Sequence, residues 1–336
     1  MSISLFIFSV FYGLMVIMNG KVNSNFNLFS YMIAPVAFYR FGRQSMNMFK
    51  EDKSRQKFLI FSILLYLGYL FLLTFKDIAI VGIVNPTRKL LGEIGYDHAM
   101  AATLYGLMVS VGIGCIAAIF VKKENFWIRL GFIVLSLLSM LCTIHLVNRT
   151  GVVILAMCVA ISFFVSTKFN VPKMVGSLFI LLILVFVIVK TGWVDQSVLE
   201  AYAQREESST SDFSSMGGRL DMWLSAIESL FTSPFGWEPV GYTFAHNMWL
   251  DIARMSGLLA FIPFLIVTIL HGKNLLNLFR NRHITNFTAI IISLNVAMLL
   301  SSFVEPVIEG SLLFFCLLMM IWGITKSLAM ENKLKG

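Results

Sequence analysis

FWIRLGFIVLSLLSMLCTIHLVNRTGVVILAMCVAISFFVST (126–167) decides the fold. It holds two almost uninterrupted apolar runs, 126–147 and 151–167, joined by the polar turn NRTG. Each run is long enough, wound as an α-helix, to cross the roughly 30 Å hydrocarbon layer of a bilayer. A connection this short leaves only one arrangement, two antiparallel neighbours, so the chain crosses and returns.

The same pattern extends in both directions. With 58% hydrophobic residues, 13% charged residues and a mean hydropathy of +0.82 over 336 residues, a soluble domain is excluded. Further apolar segments lie near 3–18, 27–41, 58–75, 100–121, 174–192, 246–270, 287–303 and 311–328. The sequence therefore predicts an all-α polytopic transmembrane bundle of about ten spans, organised as a single integral-membrane domain over 1–336. The segment 27–41 is short and carries Pro35, which makes it the weakest of the ten. The first segment has neither a basic leader nor a small-residue cleavage site, so it reads as a retained span.

Cys115, Cys142, Cys158 and Cys316 all fall inside apolar runs and read as small packing residues, with no disulfide framework or metal site expected. The net charge of +8 has its lysines and arginines beside apolar segments, without interleaved aromatics. They read as topology signals, and no nucleic-acid partner is expected. Basic residues gather in 40–57, 122–125, 168–173, 271–286 and the C-terminal tail, whereas acidic residues concentrate in the alternate loops. Both termini are therefore predicted cytoplasmic, which puts the NRTG turn and the long 193–245 segment between spans seven and eight outside.

That extracytoplasmic loop is the longest polar stretch in the chain, and loops of such length are usually functional. Its middle, EESSTSDFSSMGG (206–218), is serine-rich and lacks an apolar face. From Arg219 onward Leu220, Trp223, Leu224, Ile227 and Leu230 recur at helical spacing until Pro234 and Gly236 stop the run, predicting a short amphipathic helix on the outer membrane surface. Arg219 falls in its first turn, where free N–H groups favour an anion and a guanidinium would strengthen the site. An ordinary solvated arginine paired with Asp221 or a lipid headgroup explains the same residue.

The loop ends in AHNMWLD (245–251). Asn247 is a natural helix N-cap. Asp251 and Arg254 follow on the same helix face, where an inward ion pair is the least expensive way to hold them at membrane depth. His246 stands at the water boundary, and histidine is the side chain best suited to act as a base near neutrality. A third group, His145 and Arg149, would share a face if the fifth helix ran on to the turn.

No HExxH, Cys/His cluster, glycine-rich nucleotide loop or paired acidic motif is present, so neither a metal nor another cofactor is expected. The first outer loop, NGKVNSNFN (19–27), has no acidic residue, unlike polyprenol-sugar glycosyltransferases with a catalytic carboxylate there. What remains is a set of extracytoplasmic arginines and one histidine, suited to a diphosphate at the bilayer surface.

NRTGVV (148–153), GGRLDMWLSAI (217–227), SPFGWEPVGY (233–242) and AHNMWLDIARMSGLLAFIPF (245–264) together resemble the bacterial O-antigen polymerase and O-antigen ligase family of membrane glycosyltransferases. The likeness covers 145–265; beyond it only the hydropathy pattern matches. Asn148 stands where a serine is more usual. The resemblance implies a donor of undecaprenyl-diphosphate-linked oligosaccharide, with Arg149 and Arg219 on the diphosphate and His246 as general base; Asn247, Asp251 and Arg254, on the helix that follows His246, are expected at the substrate, with Asn247 and Asp251 orienting it. It also implies an acceptor glycan, either a lipid-linked repeat unit or lipid A core, and allows a chain-length regulator protein as partner. It places the protein in the bacterial inner membrane, active on the periplasmic face by metal-independent inversion. Polymerase and ligase remain alternatives, and a flippase of the same lipid-linked sugars is a third reading from another class.

Overall fold

The computed structural model describes residues 1–21, 28–85, 87–90, 100–120, 125–166, 198, 200–203, 219–238, 244–280 and 284–335. The described helices are α1 (Ser2–Met18), α2 (Leu28–Met48), α3 (Asp52–Val81), α4 (Ala102–Ile113), α5 (Phe126–His145), α6 (Arg149–Ser166), α7 (Arg219–Thr232), α8 (Met248–Arg280), α9 (Asn286–Val304) and α10 (Leu312–Lys335). A two-residue antiparallel pair, Lys89–Leu90 with Met100–Ala101, is the sole departure from helix and turn among these elements.

Seven of the described helices are long and apolar enough to cross a membrane: α3, α4 with its 3₁₀ extension to Ile119, α5, α6, α8, α9 and α10. Helix α1 is shorter, at 17 residues. Helix α2 runs past the expected end at 41 to Met48, takes in Arg40 and Arg43, and is not one of the seven. The span expected at 174–192 and the serine-rich 206–218 lie outside the described residues.

The chain divides into two compact units. The first comprises Met1–Lys50, Asp212–Asn281 and Ser302–Gly336, and so contains α1, α2, α7, α8 and α10. Helices α2 and α10 pack backbone to backbone at two glycines. A Cβ on Gly42 would strike the Met320 carbonyl, and one on Gly323 would strike the Tyr39 carbonyl. Small residues at such crossings let helices approach closely where lipid supplies no hydrophobic drive between them. Phe8 of α1 meets Phe264 of α8 at 4.7 Å between ring centroids, Phe264 stacks on Trp322 of α10, and His271 stacks on the same indole at 4.2 Å.

The second unit, Glu51–Ser211 with Arg282–Ser301, holds α3 to α6 and most of α9. Arg129 of α5 donates from Nε to the Ala118 carbonyl at 3.1 Å and from Nη2 to that of Ile119 at 2.8 Å, capping the 3₁₀ turn that ends α4. This accounts for a cation inside an otherwise apolar run. Cys115, Cys142, Cys158 and Cys316 are free and buried.

One sequence expectation is corrected in this unit. His145 and Arg149 do not share a helix face, because α5 stops at His145 and the turn passes through Val147 at φ 50°. Asn148 then caps α6, its Oδ1 accepting from Gly151 N at 3.1 Å and its Nδ2 donating to the Ala102 carbonyl at 3.0 Å. His145 turns to Asp77 instead: Nε2 is 2.8 Å from Asp77 Oδ2 and Nδ1 is 2.9 Å from the Ile83 carbonyl.

Candidate functional site

The site grows from the start of α8. Asn247 caps the helix, its Oδ1 accepting from Trp249 N at 3.1 Å and Leu250 N at 3.3 Å. Asp251 reaches back one turn and accepts from Ala245 N at 2.7 Å and Asn247 N at 3.2 Å. With both neighbours' N–H groups held, His246 is fixed between them at φ 51°. That conformation is uncommon for a residue with a Cβ and persists where the surroundings over-determine it.

Nine residues on, α8 is broken at Gly257, which has φ 65° and ψ −166°. A break at membrane depth is tolerated only if the freed backbone groups find partners. Here the segment Ser233–Glu238 and the end of α1 supply them. Leu258 N donates to the Pro234 carbonyl at 2.7 Å, and Trp237 N donates to that of Arg254 at 3.1 Å. Lys21 Nζ donates to the Arg254 and Trp237 carbonyls at 2.9 and 2.6 Å, and Asn19 Nδ2 to those of Met255 and Phe235 at 3.0 and 2.8 Å. A Cβ on Gly257 would strike the Pro234 carbonyl. The motif SPFGWE thus forms the plug that lets this helix break.

Helix α7 lies against the same region. Trp223, Ala226 and Leu230 face inward to a cluster with Trp237, Ala245 and Ala253, and Trp223 Nε1 donates to the Ala245 carbonyl at 2.8 Å. Leu220, Leu224, Ile227 and Phe231 form a second, exposed apolar stripe about 100° round the helix. The helix is amphipathic, with adjoining apolar faces for the protein and for lipid and a polar face carrying Asp221, Ser225, Glu228 and Thr232.

Two charge clusters lie around the start of α8. In the first, Arg254 Nε lies 3.6 Å from Asp251 Oδ1 while its Nη2 hydrogen-bonds Glu309 Oε1, both Arg254 and Asp251 being about 5% exposed. The expected inward pair is present, with a second carboxylate added. Burial pushes the Glu309 carboxyl up to about 7, against the opposing pull of Arg254. Burial likewise lowers the Lys21 ammonium.

In the second cluster, Arg219 and His246 converge on Glu305. Arg219 Nη2 is 3.7 Å from Glu305 Oε1, and His246 Nδ1 is 3.6 Å from Glu305 Oε2. The carboxylate is 2% exposed, whereas the arginine and histidine side chains are 22% and 28% exposed. Both separations allow ion pairing but exceed a good hydrogen bond, and neither Glu305 Oε2 nor His246 Nδ1 has a hydrogen-bond partner among the described residues. Phe244 links the clusters, its ring 6.2 Å from that of His246 and 5.9 Å from Arg254 Cζ.

The structure therefore brings together Arg219, His246, Asn247, Asp251 and Arg254 within one unit. Arg149 opens α6 in the other unit. Sequence reading passed over Glu305, Glu309, Asn19 and Lys21. The two glutamates had a visible signal, since VEPVIEG (304–310) sets two acids four residues apart in a short link between apolar helices. Among the described residues no group of three His, Cys, Asp or Glu is placed to hold a metal. No family model, curated protein or solved structure matches the chain.

Proposed function

We propose that the chain is a membrane glycosyltransferase that extends a glycan from an undecaprenyl-diphosphate-linked donor, an O-antigen or capsule polymerase, acting on the periplasmic face of an inner-membrane bundle of about ten spans. The observation that supports it is the convergence of Arg219 and His246 on buried Glu305. A carboxylate beside Nδ1 leaves Nε2 as the basic nitrogen and stabilises the imidazolium formed when it takes a proton. In this reading His246 Nε2 accepts the proton of an acceptor hydroxyl as its oxygen bonds to the anomeric carbon. The bond from that carbon to the diphosphate breaks, and its electron pair leaves on the diphosphate oxygen, giving inversion. Arg219 exchanges Glu305 for the departing diphosphate, which as a good leaving group needs no acid. Asp251 and Asn247 hold the histidine's backbone, and Arg254 with Phe244 forms the wall behind it. Arg149 enters this reading from the sequence alone.

The break in α8 favours a second reading, since discontinuous helices line the substrate sites of carriers. A deletion strain separates the possibilities. Single repeat units on lipid A mean a polymerase, unattached polymer means a ligase, and lipid-linked repeat units retained on the cytoplasmic side mean a flippase. Complementation with His246→Ala should restore no polymer while the protein remains inserted, a loss of about 10²- to 10⁴-fold in rate. Polymer of parental length from that variant removes the histidine from the reaction.

A further inference from the structure

At the other end of α8 a cavity of about 400 Å³ is lined by Lys273, Asn274, Asn277 and Arg280 of α8 and by Lys326 and Lys333 of α10. The spacing is regular: Lys273 to Arg280 and Lys326 to Lys333 are each seven residues, two helical turns, so each helix presents a pair of cations along one face. No aspartate or glutamate lines it. None of these four cations pairs with a carboxylate among the described residues. Lys326 Nζ reaches only the amide of buried Asn274, at 3.5 Å.

Two ordinary explanations fall short. Cations in the last turn of a helix are favoured by the backbone dipole, which accounts for Arg280 and Lys333 near the ends of α8 and α10. It does not account for Lys273 and Lys326, which lie well before those ends, beyond the turn over which the dipole acts. Topology signals explain basic residues at a membrane boundary but not their gathering on one cavity, where they repel. The neighbouring cavity makes the contrast. It is lined by Arg40 and Arg43 and, from α10, by the acidic Glu331. Among the described residues that line the cavity of Lys273, Arg280, Lys326 and Lys333, none supplies a counter-charge.

We propose that this cavity is a binding site for a phosphate-bearing anion, with the phosphate of an anionic lipid headgroup as its occupant. The cations receive the phosphate and Asn274 and Asn277 the headgroup hydroxyls. Leu270 and the half-exposed Leu276 on its rim offer an acyl chain an apolar wall, which a free inorganic ion would not use. The inference is independent of the glycosyltransferase reading.

The test is thermal unfolding of the purified, delipidated full chain in neutral detergent, titrated separately with dioctanoyl phosphatidylglycerol, dioctanoyl phosphatidylcholine and inorganic phosphate. Phosphatidylglycerol should raise Tm saturably, and phosphatidylcholine should not. Saturation by inorganic phosphate at equal concentration would assign the site to a free phosphate and remove the lipid as occupant. Lys273→Gln and Arg280→Gln, both on exposed side chains, should each weaken half-saturation about fivefold, and Lys326→Gln at least as much. Arg40→Gln in the neighbouring cavity should leave it unchanged. An equal response from all of these proteins, or no response from the parent, overturns the proposal.

Discussion

Glu305 carries the site at the scale of single residues. Its two oxygens face different side chains, so one buried carboxylate sets the positions of both Arg219 and His246. Removing its charge leaves the two side chains without an anion between them, and the consequences for the two are separable. Glu305→Gln keeps the volume and should lower kcat of glycan transfer about 10- to 100-fold, with the smaller effect at low pH, because an imidazole without its carboxylate protonates less readily and is a weaker base. Arg219→Lys keeps the charge but loses the planar fork, and should raise KM for the lipid-linked donor while leaving the pH profile in place. If both variants shift the pH profile alike, Glu305 does not act through His246. Glu309 gives a test that needs no substrate. Its folded-state pKa lies above its ordinary 4.5, at about 7, so folded protein holds a proton that unfolded chain releases across that window. Its contribution to stability is therefore present below about 4.5 and lost as pH rises through about 7, with Arg254 and Lys21 opposing and Asp251 reinforcing the shift. Glu309→Gln should flatten the fall in Tm between those limits. An unchanged slope would assign it to other groups.

Helix α8 shows at the scale of elements what sequence does and does not disclose. Its start is legible because capping is local: Asn247 stands where the first turn needs an acceptor, and the structure shows it making those bonds. Its break was not legible. MSGLLAFIPF (255–264) reads as uninterrupted apolar helix, and the conspicuous breaker in it is Pro263, yet the positive φ falls at Gly257. The reason is tertiary. The groups that satisfy the broken turn come from Asn19 and Lys21, more than two hundred residues upstream, and from the 233–238 plug. Glu305 was missed for the same reason, since its partners lie on α7 and before α8 and no spacing rule reaches them. Gly257→Ala tests the break directly. It forces a Cβ into the left-handed region and against the Pro234 carbonyl, and should cost about 1–3 kcal/mol of stability in detergent. A neutral or stabilising result would mean that α8 runs straight through position 257.

At the scale of the whole molecule, α8 relates the two ends of the first unit. The Arg219, His246 and Glu305 group stands at its beginning, and the Lys273, Arg280, Lys326 and Lys333 cavity near its end. From Met248 to Lys273 a helix rises on the order of 40 Å, against roughly 30 Å for the hydrocarbon layer. If α8 spans, the two polar features face opposite aqueous phases. The excess of lysine and arginine in 271–286 and in the C-terminal tail then predicts the cation-lined cavity on the cytoplasmic side and the histidine outside. The four native cysteines are buried, so new ones can be read against a quiet background. Ser225→Cys sits on the exposed polar face of α7 and Arg280→Cys at the end of α8. In intact cells a membrane-impermeant maleimide should modify the first and spare the second, and permeabilisation should expose both. Labelling of both in intact cells would mean that α8 does not cross the membrane. Labelling of position 280 alone would invert the protein and leave His246 on the cytoplasmic face, where an outward-facing polymerase has no acceptor.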